Sequence, residues 1–344
     1  VLFRSFIKYI KILEGDNKMK PLVSIVAPCY NGEKKVKFFL ESILNQTYDN
    51  IEFIIVNDGS TDKTEEILLS YEKFFKKRGY KFIYLKQDNS GPDVALNNGL
   101  KYFSGDYLMW PDSDDILDKD NVEEKVNYLE NNQDISLVYC DASIVKEENK
   151  RKPIKYWRKS LKKNKREFFE DVISANNIVY AGGAWMLRVQ SFLSIKPDRN
   201  IEIEGFGQNW QMLLPMIYNF NIGKIEKDLF TYIVYKDSHS NKKKLYKEEC
   251  NYIKKQKTGL FHILNNIKML DEEEKYYYKF VENLIEYRLM CLAIQGNNKK
   301  DFYLKYNVLN NRKYIFNLKD KIKIILFKMN LYDFFRKVKS ILRN

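Results

Sequence analysis

From Leu22 onward the chain alternates short β-branched runs with stretches whose apolar positions recur at helical spacing. That alternation predicts a layered α/β domain with largely parallel strands. Val23-Ser24-Ile25-Val26-Ala27 reads as a buried strand stopped by Pro28. Val36, Phe39, Leu40, Ile43 and Leu44 then share one helical face, and Ile51 to Val56 forms a second strand ending at Asn57-Asp58-Gly59. The next helix opens around Ser60 to Asp62, with Asp62 and Glu65 at capping-box spacing and Ile67, Leu68, Tyr71 and Phe75 as its apolar stripe. A strand over Phe82 to Leu85, the turn residues Asp88-Asn89-Ser90-Gly91-Pro92, a helix through Leu100 and a strand over Tyr107 to Trp110 follow. The last strand runs straight into Asp112-Ser113-Asp114-Asp115, and open α/β sheets hold their ligands at such carboxyl ends.

Beyond Cys140 the pattern is interrupted. Lys146 to Arg166 carries eleven basic residues against two acidic ones and reads as a solvated, mobile insertion. Periodicity resumes over Ile178 to Leu187, continues in a helix through Trp210, Leu213, Leu214 and Ile217, and ends in a strand near Phe230 to Tyr235. From about Asn241 the strand signal vanishes, and Lys- and Tyr-rich helical sequence continues to the end. The expected division is therefore a domain over 19–240 and a helical, basic region over 241–344, with residues 1–18 upstream of the fold. No solenoid-length repeat is apparent.

A chain of 344 residues with 44% hydrophobic content can bury one sizeable core and a smaller appendage. The net charge of +13 calls for an anionic partner, whether nucleic acid, acidic lipid or a phosphorylated substrate. Cys29, Cys140, Cys250 and Cys291 are too dispersed for a zinc site or a disulfide framework, so they are expected reduced, in a cytoplasmic protein. No apolar run approaches the roughly 20 residues that span a bilayer. Lys319 to Arg343 instead has the pattern of a basic amphipathic helix. It suits either an anionic membrane face, giving peripheral attachment inside the cell, or packing on the rest of the protein.

Two carboxylates one residue apart on a tight turn can place oxygens on one hard cation, whose open positions take up diphosphate oxygens. The same residues could simply cap the helix through Val122, Val126 and Leu129. Spacing alone favours the cap and does not establish the metal site.

The order of motifs does. Val23-Ser24-Ile25-Val26-Ala27-Pro28-Cys29-Tyr30-Asn31, Asn45-Gln46-Thr47-Tyr48, Ile54-Ile55-Val56-Asn57-Asp58-Gly59-Ser60-Thr61-Asp62, and Gly105-Asp106-Tyr107 ahead of Asp112-Ser113-Asp114-Asp115 resemble the family 2 glycosyltransferases. The resemblance covers about residues 20 to 120. It implies a GT-A, Rossmann-like, mostly parallel α/β fold with a C-terminal helical extension. It also implies inverting transfer from a nucleoside-diphosphate sugar, commonly a UDP-sugar, to a glycan or lipid-linked acceptor in bacterial surface polysaccharide synthesis, with Mn2+ or Mg2+ bound. By the same resemblance Pro28 and Tyr30 contact base and ribose, and Asp58 accepts a hydrogen bond from the uracil ring, as a strand-end carboxylate can. Asp112 and Asp114 meet ribose and metal, with Asp114 the direct ligand. The competing reading of Asp58 is an Asx turn before Gly59.

Several positions depart from that pattern. The family's general base lies in a Glu-Asp pair about a hundred residues past the metal turn, where this chain has Gly207-Gln208-Asn209-Trp210. Asn209 takes the place of the base, and a neutral amide cannot accept the proton usefully. Either a nearby carboxylate such as Glu204 or Glu202 serves, or the acceptor arrives differently, or the chain binds sugars without transferring them; Glu204 is the preferred base. Ala95-Leu96-Asn97 replaces the family's Ala-Arg-Asn, leaving Asp93 and Asn97 as donor-side candidates, although Asp93 could instead cap its helix. Ala181-Gly182-Gly183-Ala184-Trp185 resembles the acceptor-side segment, with Gly182 and Gly183 allowing close approach and Trp185 either stacking on a sugar or packing in the core. His239 either resembles a residue reaching back over the diphosphate, to the metal or the phosphates, or is a plain surface-loop histidine. A nucleic-acid role for Lys146 to Arg166 lacks the interleaved aromatics it would need, so no nucleic-acid partner is expected.

Overall fold

The computed structural model describes residues 19–158, 164–176, 178–201, 207–236 and 245–341. Contacts divide the chain into two compact units that meet between residues 242 and 243.

The first unit is built on one sheet. Strands β1 (Val23–Cys29), β2 (Ile51–Asp58), β3 (Lys81–Gln87) and β4 (Tyr107–Met109) are joined through helices α1 (Val36–Leu44), α2 (Thr64–Arg78) and α3 (Pro92–Leu100). All neighbours among them pair in parallel, in the order β3-β2-β1-β4. Every residue of β1 and β2 is buried, as covering both faces of a parallel sheet demands. Beyond β4 the sheet is mixed. It adds β5 (Ile116–Leu117), β6 (Ile135–Lys146), β7 (Asn149–Trp157), β8 (Trp185–Arg188) and β9 (Asn221–Val234). The path continues β4-β8-β6-β9-β5, with β8 antiparallel to both neighbours and β6 parallel to β9. Helices α4 (Asn121–Asn131), α5 (Lys165–Ile173), α6 (Val189–Ile195) and α7 (Gln208–Asn219) complete the unit.

Two local expectations change. The basic stretch after Cys140 is not a loose insertion over its first part: Asn149 to Trp157 is β7, an antiparallel partner of β6, with Trp157 against Tyr232. Its lysines project from a strand whose backbone bonds are made in the sheet. The capping box at α2 is also not formed. Asp62 Oδ1 accepts from the backbone N–H and hydroxyl of Thr64, whereas Glu65 turns to β3 and accepts from Tyr84 Oη and Lys86 Nζ at 3.0 and 2.6 Å.

At the amino ends of the parallel strands lies a fully buried carboxylate. Glu52 accepts from Ser24 Oγ, Ser104 N, Ser104 Oγ and Lys81 Nζ. Burial alone would raise its pKa, but these hydrogen bonds outweigh it and hold the carboxyl below its ordinary 4.5.

The second unit is helical: α8 (Tyr246–Asn265), α9 (Asp271–Gln295), α10 (Lys299–Asn311), α11 (Leu318–Lys328) and α12 (Tyr332–Ile341). Its core gathers Met290, Ala293, Ile294, Phe302, Leu309, Ile324 and Phe327. Among the described residues no helix is long and apolar enough to cross a membrane.

Candidate active site

Parallel pairing sets the site. Because β1 lies between β2 and β4, the loops leaving their carboxyl ends converge: Cys29 to Glu33 from β1, Asp58 to Asp62 from β2, and Trp110 to Asp115 from β4. Side chains bind the first two loops together. Asn31, in the left-handed region at φ 46°, accepts from Thr61 N at 2.9 Å through Oδ1, and its own N–H donates to Ser60 Oγ at 3.0 Å. Gly32 N donates to Thr64 Oγ1 at 2.7 Å.

The acidic turn does not cap the helix that follows it. β5 intervenes, α4 begins only at Asn121, and Asp120 is the residue at its N-cap. The cap reading therefore falls, and the carboxylates need another reason. Asp112 Oδ1 accepts from Gln208 Nε2 at 2.8 Å. Burial, then the charges of Asp114 and Asp93, push the Asp112 carboxyl up to about 7 against that hydrogen bond. Asp115 is completely buried; its burial and the neighbouring Asp112 and Asp114 hold its pKa well above the ordinary value, and its Oδ2 has no hydrogen-bond partner among the described residues. Asp114 is half exposed, with Oδ2 3.3 Å from Lys35 Nζ. Lys35 in turn sits 4.1 Å above the Tyr235 ring, and Tyr235 Oη donates to the Asp114 carbonyl at 3.3 Å.

A crowded carboxylate cluster with one unpaired oxygen suits a divalent cation. Among the described residues no three His, Cys, Asp or Glu side chains are gathered as a ready metal shell. Asp114 and Asp112 could supply part of such a shell, and its other positions would have to be filled by a ligand such as a diphosphate.

Asp58 is buried and occupied. Its Oδ1 accepts from Gln87 Nε2 and Ser90 N at 2.8 and 2.9 Å, and its Oδ2 from Gly91 N at 2.9 Å. The Asx turn belongs to its neighbour instead, since Ser60 N donates to Asn57 Oδ1. With three of roughly four acceptor positions filled, Asp58 keeps room for one more donor. Gly59 beside it has φ +69°, and a Cβ there would lie 2.6 Å from Asn89 N, so only glycine fits. Pro28 is buried in β1, and Tyr30, about half exposed, offers a ring at the lip of the converging loops.

Other expected site residues are committed to packing. Asn209 Oδ1 accepts from the buried Trp110 Nε1 at 2.9 Å. Trp185 has no exposed surface: it stacks on Tyr139 at 4.6 Å and donates to the Val179 carbonyl, so its face is not open to a sugar. A Cβ on Gly182 would come 2.1 Å from the Trp110 carbonyl oxygen, and one on Gly183 would come 2.5 Å from the Phe230 ring. The two glycines thus admit neighbouring protein groups, not a ligand. Asn97 exchanges two hydrogen bonds with the Ile201 backbone, which uses its amide on both sides. Asp93 is buried within α3, whose N-cap is Gly91, and it faces Asp112 electrostatically. Glu202, Glu204 and His239 lie outside the described residues.

The sequence reading gave no role to Lys35, Tyr235 or Gln208. Lys35 is 79 positions from Asp114, and Tyr235 is 121; no local spacing signals either contact. The cysteine pattern marks Cys29 only as a reduced thiol. It hydrogen-bonds with Ser113, and burial pushes its thiol up to about 12, with Ser113 lowering it and Asp62 and Asp114 raising it. It is therefore an inert link between β1 and the turn.

The sequence matches the model for Glycosyl transferase family 2 over residues 24–195. Over 131 residues it is 42% identical to an uncharacterized glycosyltransferase of Rickettsia typhi, covering 38% of this chain and 39% of the relative. Over 101 residues it is 42% identical to glycosyltransferase GlyA of Streptococcus pneumoniae, covering 29% of this chain and 14% of that one. The matches thus span well under half of these relatives. Among solved structures, Staphylococcus aureus TarS 1–349 in complex with UDP-GlcNAc aligns at TM-score 0.57 and 16% identity, covering 94% of this chain and 91% of that one. The mannosyltransferase PcManGT from Pyrobaculum calidifontis, in complex with GDP-Man and Mn2+, aligns at 0.54 and 14%, covering 94% and 88%. At these identities the likeness shows the GT-A fold alone.

Proposed function

The chain belongs to glycosyl transferase family 2, and from that premise we propose that it transfers a sugar with inversion from a UDP-sugar to a glycan or lipid-linked acceptor of a bacterial surface polysaccharide. The observation that carries this reading is the acidic turn at the end of β4. It is freed from any capping duty, crowded with carboxylates, and set beside the Asp58 loop.

In this reading uracil donates its imino N–H to the remaining acceptor position of Asp58, while Tyr30 covers the base and ribose. Asp112, oriented by Gln208, receives a ribose hydroxyl. Asp114 and Asp112 hold Mn2+ or Mg2+, which when bound offsets the negative charge growing on the leaving diphosphate. Lys35 is within reach of the same charge. With a cation in the turn, its ammonium is released from Asp114 and can pair with a phosphate. The acceptor hydroxyl loses its proton to a carboxylate, for which Glu204 remains the proposal because Asn209 is bound to Trp110. His239 is proposed over the diphosphate, as the family resemblance implies.

Incubation with a UDP-sugar panel, Mn2+ and a bacterial lipid extract tests the reading. UDP should be released from at least one donor, and Asp114→Ala should lower the rate at least a hundredfold, the scale of one electrostatic catalytic contact. Release that is equal in native and D114A protein would remove the metal assignment.

A further inference from the structure

The last two helices carry exposed apolar side chains. On α11 the inner face is occupied: Ile324 and Phe327 enter the helical core, and the neighbouring buried Asp320 accepts from Tyr287 Oη at 2.9 Å. Leu318, Ile322, Ile325 and Met329 recur at steps of four, three and four residues and are 73, 50, 54 and 60% exposed. At 3.6 residues per turn these four lie within about 60° of arc, opposite the buried pair. Exposed Lys321 flanks this stripe on one side and exposed Lys319 on the other, while Lys328 holds its ammonium 3.8 Å over the Tyr306 ring. The pattern repeats in Leu331, just before α12, and in Phe334, Phe335 and Val338 on it, which lie on one side and are all exposed. From Arg312 to Arg343 the sequence holds ten Lys and Arg against two Asp. Neither Asp offsets them outwardly, because Asp320 is buried and Asp333 pairs with Arg336.

We propose that α11 and α12 form a docking face for an anionic phospholipid bilayer. A stripe of Leu, Ile, Met and Phe suits the boundary between headgroups and acyl chains, and lysine stems along its edges carry their ammonium groups out to the phosphates. Charge selects this occupant over a second copy of the chain. Two such faces would bring like-charged lysines together, and lysine is depleted from protein interfaces. Membrane docking is independent of which sugar or acceptor the first unit uses.

Sedimentation of the full chain with vesicles tests it, comparing phosphatidylcholine alone with a mixture containing about 30% phosphatidylglycerol. The chain should sediment with the anionic vesicles only, less so as salt rises. K319Q/K321Q should lower the partition roughly thirtyfold, the loss of two surface cations at ~1 kcal/mol each. I322E/I325E should lower it about a hundredfold or more, with unchanged melting because both positions face outward. Absence of sedimentation, equal sedimentation of I322E/I325E, or a concentration-dependent dimer that I322E/I325E dissolves would each overturn the proposal.

Discussion

By the family resemblance Asn209 takes the place of the general base, while the structure bonds it to Trp110. Substituting Asn209→Ala leaves the buried Trp110 indole N–H without its 2.9 Å acceptor. An orphaned buried donor costs about 1–3 kcal/mol, which for a unit of this size is about 2–12 °C of melting temperature. Trp110 leads through Pro111 into Asp112, so some of that loss should reach donor binding, as a drop of no more than about tenfold. Asn209→Asp keeps an acceptor for the indole and restores the family's carboxylate. The account expects N209A to melt lower while retaining measurable UDP release, and N209D to release UDP no faster than the native chain. Melting curves and a UDP-release assay over pH 5 to 9 read both. An unchanged melting temperature in N209A would contradict the bond's structural role. A tenfold or larger gain in N209D, with a new carboxylate titration in the rate, would mean that this position works as the base after all.

Three further outcomes follow from packing and charge. Gly182→Ala must move Trp110, whose carbonyl oxygen would lie 2.1 Å from the new Cβ; it should cost about 1–3 kcal/mol and weaken metal-dependent UDP binding, so a native-like melt and affinity would show that the contact relaxes freely. Glu52→Gln should destabilise by about 1.5–3 kcal/mol near neutral pH through loss of charge-assisted bonds. Because the folded Glu52 pKa is lowered, that difference should be complete above pH 4.5 and shrink as pH falls through the folded value; denaturant titrations at several pH values check it, and a gap that widens in acid would refute it. Glu204→Gln should lower UDP release a hundredfold or more without changing UDP affinity if Glu204 is the base, and unchanged turnover would remove it from that role.

What could be read from the chain, and what could not, divides along sequence distance. β1, β2 and β3 were legible because short runs of β-branched and aromatic residues separated by helical periods leave few alternatives, and the four ordered motifs located the turn at Asp112. The mixed half was not, because a strand buried on both faces looks alike in parallel and antiparallel pairing, and β8 is only four residues long. β7 was hidden by its lysines, which a two-stranded edge tolerates on its open face. Trp185 and Gly182 looked like ligand contacts because a sugar and a protein neighbour require the same residue types; only the stacking on Tyr139 and the approach of Trp110 separate the two. Lys35 and Tyr235 reach Asp114 from loops far away in sequence, and no motif encodes a contact made by topology alone.

In the proposed function the turn after β4 binds the donor diphosphate through a divalent cation held on Asp114 and Asp112. Calorimetric titration of UDP into the chain with Mn2+, with chelator, and into Asp114→Ala tests it most directly. The account predicts measurable affinity with Mn2+ that falls at least tenfold under chelation and in D114A alike, with no further loss when both are combined. Equal affinity in all four conditions would contradict it.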